Sequence, residues 1–345
     1  MTAEAMDLDA MDDVEPAEPY VMARRTPGWM IVARKELADH LLSWRFVVLV
    51  LVLGLAAVVP LYFAADAIRS VASQINDARA VFLALFVVPP STGISLPPVY
   101  GFVGIVGPLL GVAFSFDAIN SERADGTLPR LLSQPIHRDD VINGKFAAGL
   151  AVIVIALLSV LLVISGYGIV RLGIVPAASE LLRLFAWFVL AVLWISLWLA
   201  FGLVLSVVIR RAATAALIGF GVWLLIAIFG ELVVSLVAGV FAPVATATTV
   251  TEAVSLQALS DMIQRFLPLT LYQEGARVLL NPTVTTVSTP VTVGQLQQYQ
   301  QQVPTLLSLD QSMLLVWPHY VVLLALTVIC FAIAYIQFMR QEVRA

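Results

Sequence analysis

The sequence predicts an all-α integral membrane protein with six transmembrane helices, and three observations carry that expectation. Of 345 residues, 60% are apolar and only 12% are charged, against about a quarter charged in an ordinary soluble domain. Mean hydropathy is +0.95, so lipid rather than water is the main solvent. The apolar residues also gather into runs of the length a helix needs to cross a bilayer, with charges at their ends. These runs are too long for barrel strands, and irregular backbone cannot face lipid.

The runs occupy residues 46–65, 99–116, 141–170, 184–209, 212–240 and 312–339. The third is long enough to tilt or to extend past the membrane. A shorter run, 80–88, stops at Pro89-Pro90 and reads as an interfacial or re-entrant piece. Composition excludes other classes. A net charge of −4 offers no basic field for nucleic acid. A single cysteine, Cys330, rules out an intrachain disulfide. His40, His137 and His319 are too far apart in sequence to indicate a metal or haem site. No Ser–His or Asp–Asp arrangement stands out in the spans, so no catalytic residue is assigned.

Basic residues set the expected orientation. With the N-terminus inside, that side receives Arg24, Arg25, Arg34, Lys35, Arg45, Arg123, Arg130, Arg138, Lys145, Arg210, Arg211, Arg340 and Arg344. The other side receives Arg69, Arg79, Arg171, Arg183, Arg265 and Arg277. The density differs about threefold, which puts both termini in the cytoplasm. Residues 1–25 read as a disordered acidic tail. The first 18 residues hold seven acids and no lysine or arginine, the opposite of a signal peptide's basic start.

Residues 26–45 read as an amphipathic helix lying on the inner leaflet ahead of a membrane domain over 46–345. Trp29, Ile31, Val32, Leu37, Leu41, Leu42 and Trp44 supply its apolar side, and Arg34, Lys35, Glu36 and Asp39 its polar side. The large outer loop, 241–311, predicts two short helices over 251–266 and 269–280, separated by Pro268. A β-prone stretch and a Gln-rich run, 295–302, follow.

The inner loop between the second and third spans, 117–145, concentrates charge in a chain that has little. Leu128, Leu131 and Leu132 have helical spacing, and Gly126 and Pro135 punctuate either side. The loop reads either as a short helical docking element or as a solvated connector. Within the spans, Glu231 is the one clear acid, suited to a translocation path or to structural pairing. Gly107 and Pro108 give the second span a potential close contact and a kink. With Gly111 they suit either a moving pore helix or plain packing.

The inner loop also carries a motif. Asp117, Glu122-Arg123, Gly126-Thr127-Leu128, Leu131-Leu132-Ser133, Pro135, Arg138 and Gly144-Lys145 closely resemble the pattern of the ABC-2 type permease family, especially its NosY-like branch. Residues 266–282, FLPLTLYQEGARVLLNP, resemble the family's outer segment before the last span. The resemblance implies a type V exporter-like fold in which two permease subunits, by default a homodimer, pair with two ABC ATPase subunits that hold ATP and Mg. It casts 117–145 as the coupling loop, with Asp117, Glu122, Arg123, Gly126, Thr127, Leu128, Arg138 and Lys145 as contact or supporting residues. It implies location in the plasma membrane and ATP-driven translocation, most simply export. An alternative is a mechanotransducing subunit acting on an extracytoplasmic partner. An ion-coupled carrier would need more buried ionisable groups than Glu231.

The chain has no phosphate-binding loop of its own. Its only Gly-Lys pair is Gly144-Lys145, with Asp139 where the earlier glycine is required and Phe146 where Ser or Thr is required. The expectation is a permease subunit whose ATPase activity resides in a partner.

Overall fold

A computed structural model describes residues 26–72, 81–87, 97–127, 137–173, 175–284, 286–287 and 306–341. Among these residues all regular structure is helical. In chain order the α-helices are α1 (Gly28–Leu41), α2 (Trp44–Ala72), α3 (Val81–Val87), α4 (Val99–Ala113), α5 (Asn120–Ala124) and α6 (Arg138–Leu172). They continue with α7 (Ala178–Val208), α8 (Ala212–Phe241), α9 (Val250–Gln264), α10 (Pro268–Leu280) and α11 (Leu309–Arg340).

Five of them, α2, α6, α7, α8 and α11, are long and apolar enough to cross a membrane. The apolar α4, with 15 residues, is shorter. At 1.5 Å per residue it spans about 22 Å, against about 30 Å of hydrocarbon. The second predicted run extends three residues past this helix because 114–119 turn away. The Ser115 hydroxyl donates to the Gly111 carbonyl at 2.7 Å and satisfies one of the helix's terminal acceptors. The predicted 26–45 helix is likewise divided, since Trp44 and Arg45 belong to α2. Ser43 accepts from the Phe46 amide at 3.2 Å and starts the new helix there.

The centre of the bundle is α7, which packs against α4, α6, α8, α10 and α11. Trp187, Leu190, Trp194, Ile195, Leu199 and Leu203 are buried along it. Its start is fixed by Glu180, whose carboxylate accepts from Ala177 N at 2.8 Å and from Phe82 N at 3.0 Å. One acid thereby caps α7 and bonds the first turn of the short α3. The side chains of Phe82, Leu83, Leu85 and Phe86 are wholly buried, so this short apolar run lies inside the protein.

The α4–α7 contact is close because of glycine. A Cβ on Gly107 would lie 2.7 Å from Ile195 Cδ1. A Cβ on Gly111 would lie 2.6 Å from the Ile195 carbonyl oxygen and 2.7 Å from Leu199 N. Pro108 lacks an N–H and cannot bond the Gly104 carbonyl four residues earlier. The Trp194 indole N–H takes that place at 2.9 Å. The Trp223 indole of α8 bonds the adjacent Ile105 carbonyl at 2.7 Å. Two tryptophans therefore repair the helix where proline disrupts it.

At the end of the bundle near α3, the two helices expected over 251–266 and 269–280 appear as α9 and α10. Pro268 opens α10 as its first residue, where a missing N–H costs nothing. Rather than lying on the surface, α10 is sunk into the bundle. Tyr272 is fully buried, accepts from the Trp187 indole at 3.2 Å and donates to the Tyr100 carbonyl at 3.0 Å. Buried Arg183 of α7 donates to the Leu279 carbonyl and Ser312 hydroxyl, both at 3.1 Å, and to the Leu307 carbonyl. It fastens the end of α10 to the start of α11. The acidic tail, Leu128 and its two companion leucines, and the Gln-rich run lie outside the described residues.

Candidate coupling site

At the opposite end, the charged residues of the 117–145 segment converge with α1 and the C-terminal end of α11. The central group is Lys145 of α6, 6% exposed. Its Nζ lies 3.0 Å from Glu36 Oε1 of α1 and 2.7 Å from Glu122 Oε1 of α5. One buried cation thus joins α1, α5 and α6.

The preceding Gly144 explains the pair. A Cβ there would lie 2.6 Å from Val32 Cβ and 2.7 Å from the Trp29 carbonyl oxygen. Gly144 lets α1 lie directly on α6, and Lys145 holds it by charge. Asp140, one turn earlier, accepts from the Trp29 amide at 3.0 Å and ties the start of α1 to α6.

This geometry corrects the expected face of α1. Val32 and Glu36 are its buried residues, one helical turn apart, whereas Ile31, Leu42 and Trp44 are exposed. Glu36 belongs to the packed face because Lys145 neutralises it there. The exposed apolar side chains face away from the bundle, as expected at a bilayer surface.

Two further connections complete the cluster. Arg45 Nη1 meets Asp117 Oδ2 at 2.8 Å, with the guanidinium carbon 5.2 Å from the Phe116 ring centroid. Arg138 donates to the carbonyls of Phe338 at 3.3 Å and Gln341 at 2.9 Å. The Gln341 side chain accepts from Arg123 and donates to the Val207 carbonyl at 2.9 Å. Ser206 accepts from the Ile119 amide at 2.8 Å, fixing the approach to α5 on α7.

Asp117, Glu122, Arg123, Arg138 and Lys145 therefore all bond within the chain. Gly126 and Thr127, which follow α5, are exposed. Gly126 has φ +65°, a left-handed conformation suited to glycine. Gly107 and Pro108 are buried, the former against α7, while Glu231 is exposed on α8.

Sequence reasoning missed Glu36, Asp140, Ser206 and Gln341. Glu36 was discoverable, since Val32, Glu36 and His40 share one helical face at four-residue spacing. Ser206 and Gln341 carried no local signal, because their partners are distant in sequence.

The electrostatics of α1 predict acid sensitivity. Burial pushes the Glu36 carboxyl up, but Lys145 and Lys35 more than offset this and hold it below the usual carboxylate value. Burial pushes His40 down and outweighs the opposing pull of Glu36. Both groups therefore bind fewer protons folded than unfolded, so stability rises with pH where they titrate. The His40 contribution is full above about pH 6.5 and fades as pH falls through its lowered value. The Glu36 contribution is full above about pH 4.5 and fades below it. Amide protection factors in 28–41, exchange rates taken relative to the unstructured chain at the same pH, should fall on acidification, first through the His40 window and then the Glu36 window. A protection profile flat from about pH 7.5 to 4 would contradict this assignment.

The sequence profile of the ABC-2 family transporter proteins matches residues 30–343. The chain belongs to that family. It is also 30% identical over 208 residues to "Probable ABC transporter permease protein NosY" of Stutzerimonas stutzeri, covering 59% of this chain and 67% of the relative.

Proposed function

We propose that this chain is the permease subunit of an ATP-driven ABC transporter with six spans and a type V exporter-like arrangement, and that 117–145 couples it to a separate ATPase. The observation that carries this reading is the buried Glu36–Lys145–Glu122 junction. It ties α5 and α1 to α6, so a displacement applied at α5 is passed to a spanning helix through buried ion pairs. Asp117, Glu122, Arg123, Arg138 and Lys145 act as the frame, and Gly126, Thr127 and Leu128 are contact residues for the ATPase. ATP and Mg are held by that partner. Both termini lie in the cytoplasm, the complex resides in the plasma membrane, and transport runs outward.

Copurification of the tagged full-length chain from its native membranes should yield a P-loop ATPase whose hydrolysis is stimulated in lipid. In a Cys330→Ser background, Thr127→Cys should cross-link to it. Glu122→Ala with Arg123→Ala should reduce stimulation while leaving membrane insertion intact. Unchanged assembly and stimulation in that variant would sink the coupling assignment.

The chain pairs with a second copy through α8 in this proposal. Only Ala215, Gly219 and Ala238 are buried on α8, while Glu231 stands exposed among apolar neighbours. A carboxylate facing hydrocarbon costs several kcal/mol unless paired or protonated, roughly 2.5–3.5 kcal/mol for a centrally placed acid. A second α8 can shelter Glu231, which then lines the path between subunits. Leu232→Cys in the cysteine-free chain should form disulfide-linked dimers in membranes. An exclusively monomeric product at that site and one turn on either side would refute this face.

A second reading retains the ATPase but directs its work to an extracytoplasmic partner. Exposed Val254, Leu259, Met262 and Phe266 on and just after α9 favour it by presenting apolar surface beside α10. ATP-dependent capture of a protein from that side, without solute movement in sealed vesicles, would distinguish it from export.

A further inference from the structure

The end of the molecule opposite the coupling site holds a polar cavity of about 190 Å³ between α9 and α10. Asp261, Gln264, Thr270, Gln273, Glu274 and Arg277 contribute to its lining. Asp261 is 6% exposed. Its Oδ1 accepts from Gln257 Nε2 at 2.7 Å, but its buried Oδ2 has no partner among the described residues. Arg277 donates from Nη2 to the Val287 carbonyl at 2.9 Å, but its buried Nε also has no partner among the described residues. Glu274 is already engaged, since its Oε2 meets Arg265 Nε and His319 Nε2, each at 2.9 Å.

The open valences are therefore an acceptor on an acid and a donor on a base, within the lining of one cavity. Each is costly to leave unmade, because a buried charged group without its hydrogen bonds forfeits solvation. Asp261 and Arg277 form no ion pair with each other, so a ligand that satisfies both must carry both complementary groups. A bare divalent cation suits Asp261 but is repelled by Arg277. A simple anion has the reverse fault.

We propose that this cavity binds a small zwitterionic group, a primary ammonium at Asp261 and an anionic oxygen at Arg277. Thr270, Gln264 and Gln273 supply neutral hydrogen bonds to either part. The volume lies below the roughly 300–1,000 Å³ typical of drug-sized ligands and suits a headgroup or a free amino acid. Exposed Met262 and Phe266 nearby place apolar side chains beside the polar cavity, as at a membrane interface. The ligand's source is either phosphatidylethanolamine or a soluble zwitterion such as O-phosphoethanolamine or glycine.

The test uses the full chain in nanodiscs of phosphatidylethanolamine, phosphatidylcholine or phosphatidylglycerol, and in detergent titrated with O-phosphoethanolamine and glycine. Thermal midpoint and calorimetric binding are read for both preparations. Phosphatidylcholine keeps the positive charge but has no ammonium N–H to donate. A rise in midpoint specific to phosphatidylethanolamine identifies the lipid headgroup, whereas binding of either soluble compound identifies a free solute. In either case Asp261→Asn should weaken the response about tenfold. Gln273→Ala, a gentler change at the same wall, should weaken it by a smaller factor and guards against loss of folding in the first variant. Equal midpoints in all three lipids with no soluble binding leave the cavity to water and overturn the proposal. So does a response unchanged in both variants.

Discussion

Lys145→Met is expected to detach α1 from the bundle and to uncouple α5 from α6. The side chain is 4% exposed and shared by Glu36 and Glu122, whose side chains are 12% and 15% exposed. Removing one partner of a buried ion pair costs about 3–5 kcal/mol, because the remaining charge stays desolvated without compensation. Glu36 keeps the more exposed Lys35 at 3.2 Å. Glu122 has no second ion-pair partner among the described residues. The variant should show a lowered thermal midpoint, rapid proteolysis before α2 and loss of ATPase stimulation.

Adding Glu36→Gln and Glu122→Gln to Lys145→Met should recover much of the stability, since it removes the stranded charges. It should not restore the full rigidity of the junction. A Lys145→Met protein with wild-type protease resistance would show that the three-helix junction does not hold α1.

Gly111→Leu is expected to prevent α4 from seating on α7. The atoms that a Cβ would meet include the Ile195 carbonyl oxygen and Leu199 N, which are backbone and cannot rotate aside. Even Gly111→Ala should cost about 1–3 kcal/mol, the range for overpacking, and the larger side chain more. Gly221 provides the control, since a Cβ there meets nothing within 4 Å. Gly221→Ala should be neutral or stabilise α8 by up to about 1 kcal/mol, the usual helical preference for alanine. Expression in membranes and thermal midpoint in one detergent would compare the three. Equal behaviour of Gly111→Leu and Gly221→Ala would refute close α4–α7 packing.

These two sites differ in how far the sequence exposed them. The spacing of Gly107 and Gly111 indicates a close helix contact, and plain packing was one of its two readings. It does not say which helix approaches, because every span is apolar and any could serve. The Asp117–Lys145 motif identifies the loop and its charged residues. It does not show that those charges turn inward, because Glu36, Gln341 and Val207 are distant in sequence. The face of α1 was misassigned for a related reason. An isolated helix puts its acids in water, whereas Glu36 is buried against a cation from another helix.

The sequence by itself determined the solvent, the approximate spanning segments, the charged loop and the family. Each is written in local runs of residues, where a 20-residue apolar stretch or a thirty-residue motif is sufficient. Only the tertiary structure decided that Lys145 joins two acids, that Trp194 repairs the break at Pro108, and that α10 sinks into the bundle. Those arrangements depend on side chains meeting across large sequence separations. Their geometry follows from helix packing, to which the low charge content had pointed only as a reason to be in lipid.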